Sequence, residues 1–372
     1  MPTVATLKQV KRELIDRYVR RDDRKGLGQV LLTLLPLALL WVAAVWAVSV
    51  SWWLIPFVVA AMSLFVLRSF VLMHECGHRS LFRTERLNQA FGFLFGVVTG
   101  MPQYVWSRHH HHHHSTNGNW HRYRGPLNIV AVDEYAAMTT REQRRYRNAR
   151  SIWRAPIAGF VYLIFNPRIT CMIGTIGLIL HVAKGKLARP DISLRTHALG
   201  FKTPHWANWQ EYRHMLLNNH ALVLLCGSTA WAVEPLLFFC CWTVSLSLAG
   251  GAGIVLFTVQ HNFEGSYASH DEGWDYDRAA IEGTSFLVLP AWLNWFSANI
   301  AYHHVHHLSA RIPNYCLAQC HNDYQHLFVG VTRITLSGIP GALRCILWDT
   351  RLRCIVSVAE YDRQRSLPAA GA

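Results

Sequence analysis

Long uncharged stretches alternate along the chain with short, strongly polar ones. Val30 to Val50 runs 21 residues without a charge, enough helix to cross the roughly 30 Å hydrocarbon core of a bilayer. Trp52 to Met73 reads as a second span, broken only by Arg68, which sits near the end leading into His74 and is expected to snorkel toward the headgroups. Trp52 and Trp53 mark an interface in the short turn between the two. Leu216 to Val233 and Leu236 to Val259 form an apolar hairpin turned at Glu234-Pro235. Ala90 to Val105 is short and interrupted by Gly92, Gly96, Gly100 and Pro102, and reads as a re-entrant or interfacial segment. Pro156 to Ala183 is broken by Asn166-Pro167-Arg168 and is expected as an interfacial helical pair rather than a span. Residues 1–28 read as a basic amphipathic helix lying at the membrane interface, with Leu7, Val10, Leu14, Ile15 and Tyr18 on one side. From His261 onward the chain is mostly polar and aromatic. The pattern predicts an all-α integral membrane protein with four transmembrane helices and a helical cap. Its parts are an N-terminal arm (1–28), a membrane domain (29–259) and the cap (260–372).

Charge orients this arrangement. The chain has 372 residues, 36 Lys and Arg against 22 Asp and Glu, and a net charge of +14. None of the basic residues lies at 50–52 or 232–236; they gather at 8–25, 79–154, 184–213 and after 278. The positive-inside rule puts those regions, both termini and the cap in the cytoplasm. The basic excess is then a matter of topology and anionic headgroups, and no nucleic-acid partner is expected. A hydrophobic content of 51% and a mean hydropathy of +0.13 argue against a string of soluble domains. No cleavable signal pattern precedes the first span, because basic residues fill that region and no small-residue cleavage site follows. Nine cysteines without a CxxC pair fit free thiols, and Cys316 and Cys320 near His321 are a weak zinc signal.

The chemistry lies in three histidine clusters. They are His74-Glu75-Cys76-Gly77-His78, the run His109 to His114, and His303-His304-Val305-His306-His307. On a helix, residues three and four apart share a face. His74 and His78, then His110, His113 and His114, then His303, His306 and His307 each form one ligand face, while His111 and His112 fill variable places. An internal position and this spacing distinguish the six-histidine run from a purification tag. Eight convergent imidazoles exceed the four ligands of a structural zinc site and point to two metal ions. At the cytoplasmic mouth of a membrane domain, such a centre suits oxidation of an unactivated alkyl chain. No side chain can attack such a bond, and zinc has no redox chemistry, so iron is favoured.

These motifs resemble the membrane-bound fatty acid desaturases. The first box is His74-Glu75-Cys76-Gly77-His78-Arg79-Ser80, the second His109-His110-x-x-His113-His114, the third His303-His304-Val305-His306-His307. Flanking pieces resemble the acyl-lipid branch: Val259-Gln260-His261-Asn262-Phe263-Glu264, Gly283-Thr284-Ser285 with Leu289-Pro290, Asn299-Ile300, and Ile312-Pro313-Asn314-Tyr315. The resemblance covers about residues 30–355. It implies two iron ions held by His74, His78, His110, His113, His114, His303, His306 and His307, with His261 as a further ligand. It gives His109, His304 and Glu75 supporting roles behind the ligands. Phe257 stands where the acyl-CoA branch has an asparagine, so a water-mediated ligand from that position is not carried over. The implied reaction removes two hydrogens in turn from an acyl chain, giving a cis double bond and water. O2 is the co-substrate and two electrons come from a ferredoxin or cytochrome b5-like donor, because the chain has no haem, flavin or iron–sulfur motif. Arg141, Arg144, Arg145 and Arg147 could dock an acidic donor. Zinc can replace iron in an overproduced sample. The acyl carrier, whether lipid, CoA or acyl carrier protein, stays open. So do hydroxylation of alkanes or carotenoids and alkyne formation, which use the same ligands. A metal-binding transporter would need ionisable groups at mid-membrane depth, and the spans have almost none.

Overall fold

The computed structural model describes residues 4–125 and 127–366. The principal helices are α1 (Val4–Tyr18), α2 (Asp23–Val50), α3 (Ile55–Gly77), α4 (Glu85–Thr99), α5 (Gln103–Thr116), α6 (Thr140–Ala149), α7 (Ile152–Ala188), α8 (Trp209–Val233), α9 (Pro235–His261), α10 (Tyr276–Glu282), α11 (His303–Leu308) and α12 (Asn314–Asp323). Five of them, α2, α7, α8, α9 and the segment Trp52–Gly77 that contains α3, are long and apolar enough to cross a membrane. The protein is therefore mostly helical and membrane-embedded.

Each span starts and stops where its polar residues dictate. The Asp22 carboxylate caps α2, accepting from the Arg24 and Lys25 amides at 2.8 and 3.2 Å. Glu234 caps α9 in the same way, accepting from Leu236 and Leu237. α3 packs between α2, α4 and α9 around Met62, Leu72, Met73 and Phe95, all under 2% exposed. α9 crosses the start of α7 at backbone contact. A Cβ on Gly159 would lie 2.3 Å from the Gly250 carbonyl carbon, so only glycine fits at this crossing.

Several expectations are corrected. α7 is one continuous helical body, not an interfacial pair. Pro167 frees backbone carbonyls, a π-helical turn at Val161–Phe165 takes up the mismatch, and Arg168 donates to Leu163 O at 3.0 Å and Ile164 O at 3.3 Å. The apolar face of α1 lies on the cap rather than on lipid. Leu14 and Tyr18 pack among Leu308, Ile312, Cys316 and Leu317, and Lys8 and Lys11 pair with Asp275 and Asp277. The side chain of Leu7 lies outside the described residues. Arg68 does not snorkel. It is 3% exposed and is held inside by Thr33, Gln29, the Trp295 carbonyl and the Trp295 ring.

The cap and the polar stretch before α6 are not purely helical. β1 (Val130–Ala131) pairs in parallel with β4 (Cys345–Asp349), which pairs antiparallel with β5 (Cys354–Ser357). β2 (Ser285–Val288) pairs in parallel with β3 (Thr332–Thr335). β4 is buried throughout, with Trp348 stacked on Trp120 at 3.9 Å. All nine cysteines are free, and Cys316 and Cys320 pack in the apolar cluster under α1.

Candidate metal centre

Three helix ends and one short helix deliver histidines to one place. His74 and His78 come from the last turn and cap of α3, and His110, His113 and His114 from one face of α5. His261 is the last residue of α9, and His303, His306 and His307 come from α11. Among the described residues, their ligand atoms fall into two groups, each with all atoms within 4.8 Å of one another. The first is His74, His78, His110, His114 and His306; the second is His113, His261, His303 and His307. Eight of the nine residues are buried, and His78 is half-buried with its Nε2 out of contact with solvent.

The inward geometry fits a metal. The Nε2 atoms of His114 and His110, and of His306 and His114, are 3.0 Å apart. Those of His303 and His261 are 2.9 Å apart, and those of His113 and His307 3.2 Å. Two imidazole nitrogens bound about 2.1 Å from one ion at right angles stand about 3.0 Å apart. Burial lowers the pKa of His78, His110, His113, His114, His303, His306 and His307 well below the ordinary value, and neighbouring imidazoles lower it further. Neutral rings with free lone pairs are the form that binds metal.

The residues behind the ligands differ from one another. His74 Nδ1 lies 3.2 Å from Glu75 Oε1, and the other Glu75 oxygen accepts from Ser80 Oγ at 2.9 Å and the Asn314 amide at 3.0 Å. His261 Nδ1 lies 3.3 Å from the Gly283 carbonyl. Ser285 Oγ donates to Val259 O, and Gln260 to Ile300 O, which tie the end of α9 beside α11. His109 is exposed on α5 and joins neither group. His304 is buried outside both, with Nε2 2.8 Å from His321 Nδ1. His111 bonds back to Ser107 O, and His112 is exposed. Phe257 forms an aromatic wall, with its ring 5.0 Å from His113 and 5.3 Å from His261. Trp106 stacks on His110 at 4.5 Å and Tyr123 sits edge-on to His113 at 5.0 Å. No cluster spacing pointed to these aromatics, because they lie outside the histidine patterns.

An apolar cavity of about 410 Å³ adjoins the centre. His74, His110 and His303 line it together with Val66 on α3, Gly250 on α9, and Ser151 and Arg154 at the start of α7. The arrangement places an apolar space against two groups of histidine nitrogens that could hold metal.

Residues 51–332 match the family model described as fatty acid desaturase. The chain is 32% identical over 356 residues to "Fatty acid desaturase" of Bacillus subtilis, covering 95% of this chain and 92% of that protein. It is 24% identical to the chloroplastic omega-6 fatty acid desaturase of Arabidopsis thaliana, covering 98% of this chain and 72% of that one. It is 21% identical to the sn-1 oleoyl-lipid 12-desaturase of Anabaena variabilis, over 86% of this chain and 81% of that one.

Proposed function

The chain belongs to the fatty acid desaturase family, and we propose that it desaturates a lipid-linked acyl chain at a di-iron centre on the cytoplasmic side of the membrane. It is an oxidoreductase that introduces a double bond into an acyl chain. The observation that carries the fuller reading is the convergence of nine imidazoles in two groups beside an apolar cavity. His74, His78, His110, His114 and His306 would hold one iron, and His113, His261, His303 and His307 the other. Once bound, the pair supplies the one chemistry no side chain has, activation of O2 for attack on a methylene.

The chain's own residues do the rest. The cavity between α3, α7 and α9 takes the acyl chain and excludes water. Phe257 and Trp106 wall the histidine rings, so that a methylene rather than water faces the centre. Arg154 and Ser151 lie where a carrier headgroup would rest, and two of the relatives carry acyl-lipid or omega-6 names, which supports lipid as carrier. Electrons come from an external ferredoxin or cytochrome b5-like donor. Arg141, Arg144, Arg145 and Arg147 are exposed on α6 and suit an acidic partner.

Four crossings reconcile the site with five apolar helices. Histidines before α7 meet histidines after α9, so an even number of crossings separates them. α8 and α9 supply two, and α7 lies in the membrane without crossing. Basic residues are absent from residues 50–52 and 232–236, so those turns face outward. The arm 1–28, membrane domain 29–259 and cap 260–372 then keep the centre cytoplasmic.

The test is expression in a host lacking this activity, with product analysis and metal analysis of the purified protein. New cis double bonds in membrane lipid and two irons per chain are expected. A hydroxylated or alkyne product, or one metal in an active preparation, overturns the reading.

A further inference from the structure

A chain of polar groups, half-buried at Gln29 and buried elsewhere, links Arg68 on α3 to one metal-facing histidine. Arg68 on α3 donates from Nε to Thr33 Oγ1 at 3.0 Å and from a terminal nitrogen to Gln29 Oε1 at 3.2 Å, both on α2. Gln29 and Asn314 form a reciprocal amide pair: Gln29 Nε2 donates to Asn314 Oδ1 at 3.0 Å, and Asn314 Nδ2 to Gln29 Oε1 at 2.8 Å. The Asn314 backbone N–H donates to Glu75 Oε2 at 3.0 Å, beside Ser80 Oγ at 2.9 Å, and the Asn314 backbone carbonyl accepts from Asn299 Nδ2 at 3.2 Å. Glu75, fully buried, faces His74 Nδ1 with its remaining oxygen at 3.2 Å. Neither Glu75 Oε1 nor His74 Nδ1 has another hydrogen-bond partner among the described residues. The chain joins three elements far apart in sequence.

We propose that the Arg68–Gln29–Asn314–Glu75 chain positions His74, making Gln29 and Asn314 positioning residues for the first metal and not the second. This rests on the two-metal reading above. A carboxylate behind a ligating imidazole fixes its tautomer and turns the opposite nitrogen toward the ion. Glu75 can do this only while its other oxygen is held. Two donors hold it: Ser80 Oγ, from the same stretch of chain, and the Asn314 backbone N–H, which comes from α12 and whose position depends on Gln29. Arg68 completes the chain: its hydrogen bonds to Thr33 and Gln29 fix the Gln29 side chain that Asn314 pairs with. His261 in the second group has a backbone carbonyl behind it and no link to this chain.

The experiment is anaerobic titration of the metal-stripped, full-length protein with ferrous iron. Wild type is compared with Gln29→Leu, Asn314→Ala and Gln29→Glu. In Gln29→Leu and Asn314→Ala, one of the two sites is expected to weaken by about 10–100-fold while the other keeps its affinity. Gln29→Glu keeps the acceptor for Arg68 and Asn314 Nδ2 but loses the donor to Asn314 Oδ1, so it should weaken that site less than Gln29→Leu does and leave the other site unchanged. Unchanged binding at both sites, equal weakening of both, or misfolding of both Gln29→Leu and Asn314→Ala overturns the proposal. Failure of the wild type itself to bind two irons instead defeats the di-iron reading, and is told apart because it appears without any substitution.

Discussion

The two histidine groups are built from adjacent residues yet held in different ways. His306 turns to the first group and His307, its neighbour on α11, to the second; on α5, His114 and His113 divide likewise. The first group takes two histidines from α3 and backs His74 with a carboxylate fixed by a relay through α2. The second takes His261 from the end of α9 and backs it with the Gly283 carbonyl, with Phe257 and Tyr123 alongside. One site is thus tuned by charge and hydrogen bonding, the other by apolar enclosure. A short helix, α11, spans the two, with His306 in the first group and His303 and His307 in the second.

That division gives the largest expected effects. His306→Ala and His307→Ala should each abolish desaturation, and each should lower the metal count from two to one. Binding data should show loss of a different site in each case, and loss of both metals from either single variant would dissolve the distinction. His261→Ala should behave as His307→Ala does, folding and inserting but losing the second metal and essentially all activity. Near-normal activity with both metals retained would make His261 an ordinary helix-end residue, a role that its place at the C-terminal end of α9 also permits.

The sequence disclosed the first group more readily than the second. Imidazoles spaced three and four apart on one helix announce a shared face, and all five members of the first group come from such clusters. His261 stands alone in sequence and was reached only through resemblance to a family. The relay behind His74 was invisible, since Gln29, Arg68 and Asn314 are ordinary in isolation and 285 residues separate the amide pair. Arg68 read as snorkelling because nothing local shows that α2 and the Trp295 carbonyl enclose it. Likewise Asn166-Pro167-Arg168 read as a break, although the arginine repairs the carbonyls that the proline frees. The cap strands, two to five residues long, are too short for alternation to register.

The cavity offers a way to change the substrate while leaving both groups intact. Gly253 lines it, and a Cβ there would meet no atom within 4 Å. Leucine at this place fills space meant for the acyl chain. Displacing two or three methylenes removes roughly 2 kcal/mol of apolar contact, about thirty-fold in binding. Gly253→Leu should therefore keep two metals and lose activity on long chains, with a smaller loss on shorter ones, as read from competition between acyl chains of different length. Equal loss at all lengths would remove the acyl chain from this cavity.

The smallest effect concerns acid sensitivity without metal. His78, His110 and His114 in the first group, and His113, His303 and His307 in the second, have pKa values pushed below the ordinary value, first by burial and then by neighbouring imidazoles. In the unfolded chain these rings titrate near 6.5. Below that pH the unfolded state binds more protons than the folded one, so stability is fully present above about pH 6.5 and falls as pH drops through it. Bound metal competes with those protons and should delay the loss. The causes also cross the groups, because His303 and His261 lower His114, and His74 lowers His113. Thermal unfolding of the stripped protein should thus lose stability continuously as pH falls from about 6.5, while the loaded protein changes less over the same range. Two separate steps would mean that the groups titrate independently. A flat profile for the stripped protein would mean that the buried imidazoles find their protons without opening the fold.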